Sequence, residues 1–274
     1  MATLFKSTEG SHWYSKEGEA QHDADLRVAR KQLLYASPTT IDKSEFVNAF
    51  LNRWLKEQVV IACVDNPRFH SESLEDYAKR IEFLANTKSR VASDFGTKVH
   101  DACEHYPIIP LDITLMPWFN HFVTWYEANV DATIQAEVVL VDNDIGVAGM
   151  TDRIVMMKDP NLGRAIVDYK TQGIKADDKG RKKPIFYPSW ARQLSFYAGA
   201  DAKKTGLWPT LPTCINLVID STEATPFYVK AWSREEIVDS YHDFVVAANR
   251  FYRSRSYWPC GEWSIKPQCP MPIL

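Results

Sequence analysis

Apolar residues recur at three- and four-residue spacing through the first half of the chain. Phe46, Phe50, Leu51, Trp54, Leu55 and Val59 make one stripe, which predicts a helix over 42–64. A shorter helix is predicted over 24–36, with Ser37-Pro38-Thr39-Thr40 between the two as punctuation. Helices are also predicted over 73–86, over 89–106 (ended by Pro107), and over 117–130, where aromatic residues dominate. Beyond residue 130 the pattern turns to β-branched and apolar runs, which predict strands over 133–141, 147–158 and 164–171. The last two are joined by Asp159-Pro160-Asn161-Leu162-Gly163, a strong turn sequence. A helix over 188–205, strands over 213–220 and 225–232, and a helix over 233–255 complete the pattern. Ser233 with Glu236 three positions on matches a capping box at the start of that last helix.

Helices, three strands, a helix, two strands and a helix describe a mixed α/β chain. Its central sheet is expected to hold about five strands, not all parallel. The expected divisions are an N-terminal helical region over 1–90, a core over 91–255 and a C-terminal tail over 256–274. Residues 1–24 are polar and expected to be loosely ordered. The tail, with Cys260, Cys269 and several prolines, is expected to be coil.

Composition narrows the function. Of 274 residues, 45% are hydrophobic and 24% charged, which excludes wholesale disorder. Lysine and arginine total 32 against 35 aspartates and glutamates, a net charge of −3. A protein that coats polyanions is excluded, so any nucleic-acid binding must come from local basic clusters. No apolar run reaches the roughly 18 residues of a membrane span, and no membrane partner is expected. The first residues lack an apolar segment, so no secretory signal is expected. Five widely spaced cysteines fit a reducing, cytoplasmic setting.

The most informative stretch is Gly149-Met150-Thr151-Asp152-Arg153-Ile154, followed by Ile166-Val167-Asp168-Tyr169-Lys170-Thr171. Alternation along a strand puts Ile166, Asp168 and Lys170 on one face and Tyr169 on the other. A tight hairpin can set Asp152 beside Asp168, with the Lys170 amine nearby. Paired carboxylates suit Mg²⁺ or Mn²⁺, which lowers the pKa of a bound water and neutralises charge on a phosphodiester. The lysine can orient the water or stabilise the developing charge. A D-x-K by itself is more often a surface ion pair, and the surrounding motifs shift that balance.

Gly96-Thr97-Lys98-Val99-His100 falls on the helix before the strands, and Gln193-Leu194-Ser195-Phe196-Tyr197 on the helix after them. With G-x-x-D and D-x-K between them, this order resembles the RecB-like branch of the PD-(D/E)XK nuclease superfamily. The resemblance implies a restriction-endonuclease-like core with a mixed five-stranded sheet flanked by helices, a nuclease core over 91–255. It implies Asp152, Asp168, His100 and the Tyr169 carbonyl as ligands of Mg²⁺ or Mn²⁺, and Lys170 as the catalytic lysine. It further implies Gln193 and Tyr197 as a brace of the site in contact with nucleic acid. Glu137 is a further candidate, since the family often places a glutamate on the first strand. Glu104, one helical turn after His100, is expected to be a partner of that histidine rather than a ligand.

A phosphate backbone has two candidate tracks. One is the loop 173–190, with Lys175, Lys179, Arg181, Lys182 and Lys183 against Asp177 and Asp178. The other is Arg250-Phe251-Tyr252-Arg253-Ser254-Arg255-Ser256-Tyr257-Trp258, where Arg250 and Arg253 would hold backbone and the aromatics would stack on bases. Many relatives of this type carry four cysteines on an iron–sulfur cluster. Here only Cys260 and Cys269 lie near the end and no C-x-x-C occurs, so no cluster is expected. There is no Walker A motif, so a processive digestion would need ring closure, as a homo-oligomer, or a recombination partner protein.

The expectation is a metal-dependent DNA nuclease, an exonuclease before an endonuclease, serving DNA recombination, repair or replication. Tyr35-Ala36-Ser37-Pro38-Thr39-Thr40 ahead of the core suggests the phage or bacterial recombination kind, which would act in a bacterial cytoplasm. The competing expectation is a nuclease-like fold that binds nucleic acid or assembles a complex without catalysis.

Overall fold

A computed structural model describes residues 12–46 and 49–260 of the chain. Near the start, three two-residue strands, β1 (Trp13–Tyr14), β2 (Ala20–Gln21) and β3 (Tyr35–Ala36), interleave with the short helices α1 (Leu26–Gln32) and α2 (Pro38–Glu45). The long helices α3 (Ala49–Asp65) and α4 (Leu74–Glu104) follow, then α5 (Met116–Asn129). β4 (Val130–Asp142), β5 (Val147–Met157) and β6 (Arg164–Gln172) lead to α6 (Pro188–Thr205), β7 (Thr213–Asp220), β8 (Tyr228–Ala231) and α7 (Arg234–Ser254).

The five longer strands stand in the order β4-β5-β6-β7-β8. β6 and β7 are parallel, and the other neighbours are antiparallel. The short strands extend the sheet through β3, which pairs in parallel with β5 at Ala36 and Val147. The described sheet thus has eight strands, three of them two-residue strands from the N-terminal region.

Strand alternation sorts side chains into two cores. Ile154, Ile166 and Cys214 face a cluster built with α6 and α7, including Leu194, Phe196, Tyr241, Phe244 and Phe251. Val155, Val167, Tyr169, Ile215 and Leu217 face the other way, against Val99, Phe119 and Phe122 of α4 and α5. Helices therefore cover both faces, which leaves functional groups to gather where strands end or part.

Several elements differ from expectation. The helices expected over 73–86 and 89–106 are one helix, α4, because Asn86-Thr87-Lys88-Ser89 contains no residue that stops a helix. Ser73 caps its start by accepting a hydrogen bond from the Asp76 N–H. The helix expected over 24–36 stops early, where Leu33 takes a left-handed conformation (φ 55°), and Tyr35–Ala36 enters the sheet. Ser37 and Pro38 open a helix instead of merely separating two. The Ser37 hydroxyl accepts from the Thr40 N–H, and Pro38 sits in the first turn, where its missing N–H costs nothing. The expected helix 42–64 is interrupted, since α2 ends at Glu45 and Phe46 is extended. α3 packs on α4 around a small cluster of Ala62, Ile81 and Ala85 and leaves Val59 and Val60 exposed. α4 runs unbroken through residue 90, and β1, β2 and β3 of the N-terminal region join the sheet. Residues 1–11 and 261–274, Cys269 included, lie outside the described residues. No helix among the described residues is long and apolar enough to cross a membrane.

Candidate active site

β5 and β6 pair only from Arg153–Val167 to Met156–Arg164. Beyond that the strands part, and β3 takes the same edge of β5 at Val147. Asp152 is the first residue of β5 past the ladder and Asp168 its counterpart on β6. The Tyr169 N–H, freed by the parting of the strands, donates to Asp152 Oδ2 at 2.6 Å. The splay thus opens a notch with a carboxylate on either side, and one of them satisfies the exposed backbone.

Asp168 is buried at 2% exposure. Lys170, two residues on and on the same face, lies 2.9 Å from Asp168 Oδ1 and 2.8 Å from Oδ2. Its Nζ also donates to Gln193 Oε1 at 3.0 Å. Gln193 Nε2 donates to the Tyr197 hydroxyl at 3.2 Å, and that hydroxyl donates to the Met150 carbonyl at 2.6 Å. D-x-K, Q-x-x-x-Y and G-x-x-D are therefore joined in one hydrogen-bonded chain that runs from β6 through α6 to β5.

The glycines of the motifs have a steric explanation. A Cβ on Gly149 would lie 2.7 Å from Pro38 Cδ and 3.3 Å from Tyr197 Cε1. One on Gly96 would lie 2.6 Å from Thr171 Oγ1. The first glycine lets α2 and Tyr197 close on β5. The second lets α4 approach β6, so that His100, one turn later on α4, comes to lie beside Asp152.

His100, Glu104 and Asp152 each offer a ligand atom, all within 4.8 Å of one another. His100 Nδ1 is 3.9 Å from Asp152 Oδ2, and its ring meets Tyr169 edge-on at 5.7 Å. Burial, then the charge of Lys170, pull the His100 pKa down to about 4, so the imidazole is neutral and keeps a lone pair. Burial, then Asp152 and Glu137, push the Glu104 carboxyl up to about 9. Asp168 is raised to about 6, with burial outweighing Lys170. Asp152 is raised as well, by burial first. Buried acids that face one another without compensating charge raise each other's pKa in this way, and a cation reverses the effect. Two carboxylates and a neutral imidazole fit Mn²⁺ or Mg²⁺ by donor type.

Four candidate ligands were expected: His100, Asp152, Asp168 and Tyr169. His100 and Asp152 meet in the three-residue group, and Glu104 is its third member in place of a mere histidine partner. Asp168 lies outside that group and is engaged with Lys170 and Asn216. Tyr169 lies between, with its ring buried and its hydroxyl accepting from Arg153 Nε at 3.1 Å. Glu137 sits on β4 with a left-handed backbone (φ 48°) and is exposed, facing Glu104.

Asn216 and Trp232 carry no motif and were not anticipated. Asn216 Nδ2 donates to Asp168 Oδ2 at 2.7 Å, while its Oδ1 accepts from Trp232 Nε1 at 2.8 Å. The indole donor thereby fixes which way the amide faces, so Asp168 receives a donor. Pro38 is a further unforeseen neighbour. Glu104 alone had a usable signal, its i+4 spacing from His100.

Among the basic candidates, Lys175, Lys179 and Lys183 are exposed and make no ion pair with described residues. Arg181 pairs with Asp177 at 2.8 Å. Lys182 is held by Asp220 and Glu223, each at 2.7 Å. The second track does not have the expected form. Phe251, Tyr252 and Tyr257 are buried in the α6–α7 core, so they cannot stack on bases. Arg250 lies 3.6 Å from Glu45 of α2, and Arg253 is exposed.

No protein-family model matches the chain, and no curated protein matches it. Among solved structures, the chain is similar to a protein described as "Putative exonuclease" from Eubacterium rectale, over 64% of this chain and 74% of that one. The TM-score is 0.39 and the identity 14%, too low for that likeness to bear on fold or activity.

Proposed function

We propose that this chain is a divalent-cation-dependent nuclease of the RecB-like kind that hydrolyses phosphodiester bonds of DNA, working from ends as an exonuclease. The observation that carries the proposal is the convergence of His100, Glu104 and Asp152 within 4.8 Å beside the Asp168–Lys170 pair. Nothing in ordinary packing calls for three clustered acids and a lysine in a strand notch, where burying unpaired charge costs several kcal/mol.

His100, Glu104 and Asp152 would hold Mg²⁺ or Mn²⁺, with Asp168 and the Tyr169 carbonyl beside them. A bound ion supplies charge neutralisation at the phosphodiester and a more acidic water. Lys170 acts as a point charge next to the phosphate and orients the attacking water. Gln193 holds the lysine amine in place, Tyr197 holds Gln193, and Asn216 keeps Asp168 oriented toward Lys170. Lys175, Lys179 and Lys183 attract the backbone of the incoming strand.

The test is a product time course with purified protein, on linear DNA labelled at the 5′ or 3′ end and on circular DNA, with Mn²⁺ or Mg²⁺. Expected are mononucleotides from linear substrate, sparing of circles, and a loss of at least about 100-fold in rate for Lys170→Ala and Asp168→Ala. Wild-type rates in both variants would refute catalysis at this site.

A further inference from the structure

Phe186, Tyr187 and Trp190 form a small aromatic group that belongs to neither of the two main cores. Trp190 meets Tyr187 edge to face at 5.1 Å and Phe186 at 6.4 Å, with interplanar angles of 79° and 89°. All three rings are partly exposed. Large aromatics normally bury their area in a core, whereas these pack on one another at the surface.

Two attachments tie the group to neighbours of Lys170. Gln172, two residues after Lys170, accepts from the Ile185 N–H at 2.9 Å and donates to the Ile185 carbonyl at 3.2 Å. That clamp ends immediately before Phe186. On the other side, Trp190 lies one helical turn ahead of Gln193, whose Oε1 accepts from Lys170. Lys175 and Lys183, which make no ion pair with described residues, belong to the same loop.

We propose that Phe186, Tyr187 and Trp190 are a stacking site for unpaired nucleobases, so that the strand reaching Lys170 does so single-stranded. Bases inside a duplex are already stacked and offer no free face, while the bases of a single strand do, whatever their sequence. The lysines supply the attraction to phosphate, and the rings supply the discrimination. The proposal deepens the nuclease reading and rests on it only for what happens to the strand afterwards.

The test uses the full chain in EDTA, where no metal-dependent hydrolysis occurs, and follows fluorescence anisotropy of labelled oligonucleotides. The probes are oligothymidylate, an abasic strand of equal length and charge, and a duplex of that length. Oligothymidylate is expected to bind about 10-fold more tightly than the abasic strand and the duplex. Trp190→Ala erases that difference, and Trp190→Phe restores most of it. Phe186→Leu, ahead of α6, provides a second variant that reduces the difference if Trp190→Ala does not fold. Equal binding of thymidylate and abasic strands, no binding of either, or a difference that survives in the folded variants would overturn the proposal. Base-dependent binding without cleavage on adding Mn²⁺ would remove the nuclease reading and leave the stacking site. Cleavage without base dependence would do the opposite.

Discussion

A carboxyl whose pKa is pushed up to about 9, as at Glu104, holds its proton more tightly in the folded chain than in the unfolded one. Its contribution to stability is complete below its ordinary value of 4.5 and is lost as pH rises toward 9. His100, lowered to about 4 from 6.5, adds stability as pH rises across that interval. Asp168, raised to about 6 from 3.8, loses stability over nearly the same interval, so these two oppose. Between pH 6.5 and 9 the Glu104 effect remains. In EDTA, the melting temperature is expected to fall across that range for the wild type and to fall less for Glu104→Gln. Parallel curves from the two proteins would show that Glu104 carries no such shift. Gly149 makes a steric prediction. Its missing Cβ would press on a proline ring, which cannot rotate away, so Gly149→Ala should cost about 1–3 kcal/mol in denaturant unfolding. Gly96→Ala meets only a threonine hydroxyl and should cost less. The motif residues were legible because each short pattern lies within one element. Asn216 and Trp232 were not, because their roles depend on β6, β7 and the chain after β8 being neighbours in space.

At the level of elements, the strands β5 to β7 and the helices α6 and α7 were readable from periodicity, because each buries apolar residues against a core, and β4 was readable from its β-branched composition although residues 131–137 are exposed. The N-terminal region was not. Two-residue strands such as Tyr35–Ala36 leave no periodic trace, and the apolar spacing over 42–64 persists across a real interruption after Glu45. Among the described residues, α3 and the first half of α4 form a hairpin around Ala62, Ile81 and Ala85, with Cys63, Tyr77 and Leu84 packed against them, apart from the main cores. Local opening follows the depth of buried contact. Amide hydrogen exchange should therefore be faster in α3 than in β6 and β7 by at least about 10-fold. Equal protection would mean that the hairpin is stabilised by contacts other than its own small cluster.

Across the whole molecule, the two cores on opposite faces of the sheet leave the parting of β5 and β6 as the place where polar groups can gather. Four separate stretches, from α4, β5, β6 and α6, bring His100, Asp152, Lys170 and Gln193 to it. The net charge of −3 hides a local division, with clustered acids in the notch and exposed lysines on the loop that follows β6. The mixed α/β class was legible from the order of elements alone. The notch was legible only in outline, since the third possible donor, Glu104, and the neighbouring Pro38 depend on how closely α4 and α2 approach the sheet. The central claim is that this notch seats one divalent cation through His100, Glu104 and Asp152. Calorimetric titration of Mn²⁺ into the metal-free protein, beside a folded Asp152→Ala variant, tests it most directly. About one ion per chain, taken up by the wild type and lost in the variant, is the predicted result; no uptake, or uptake undiminished by Asp152→Ala, would contradict it.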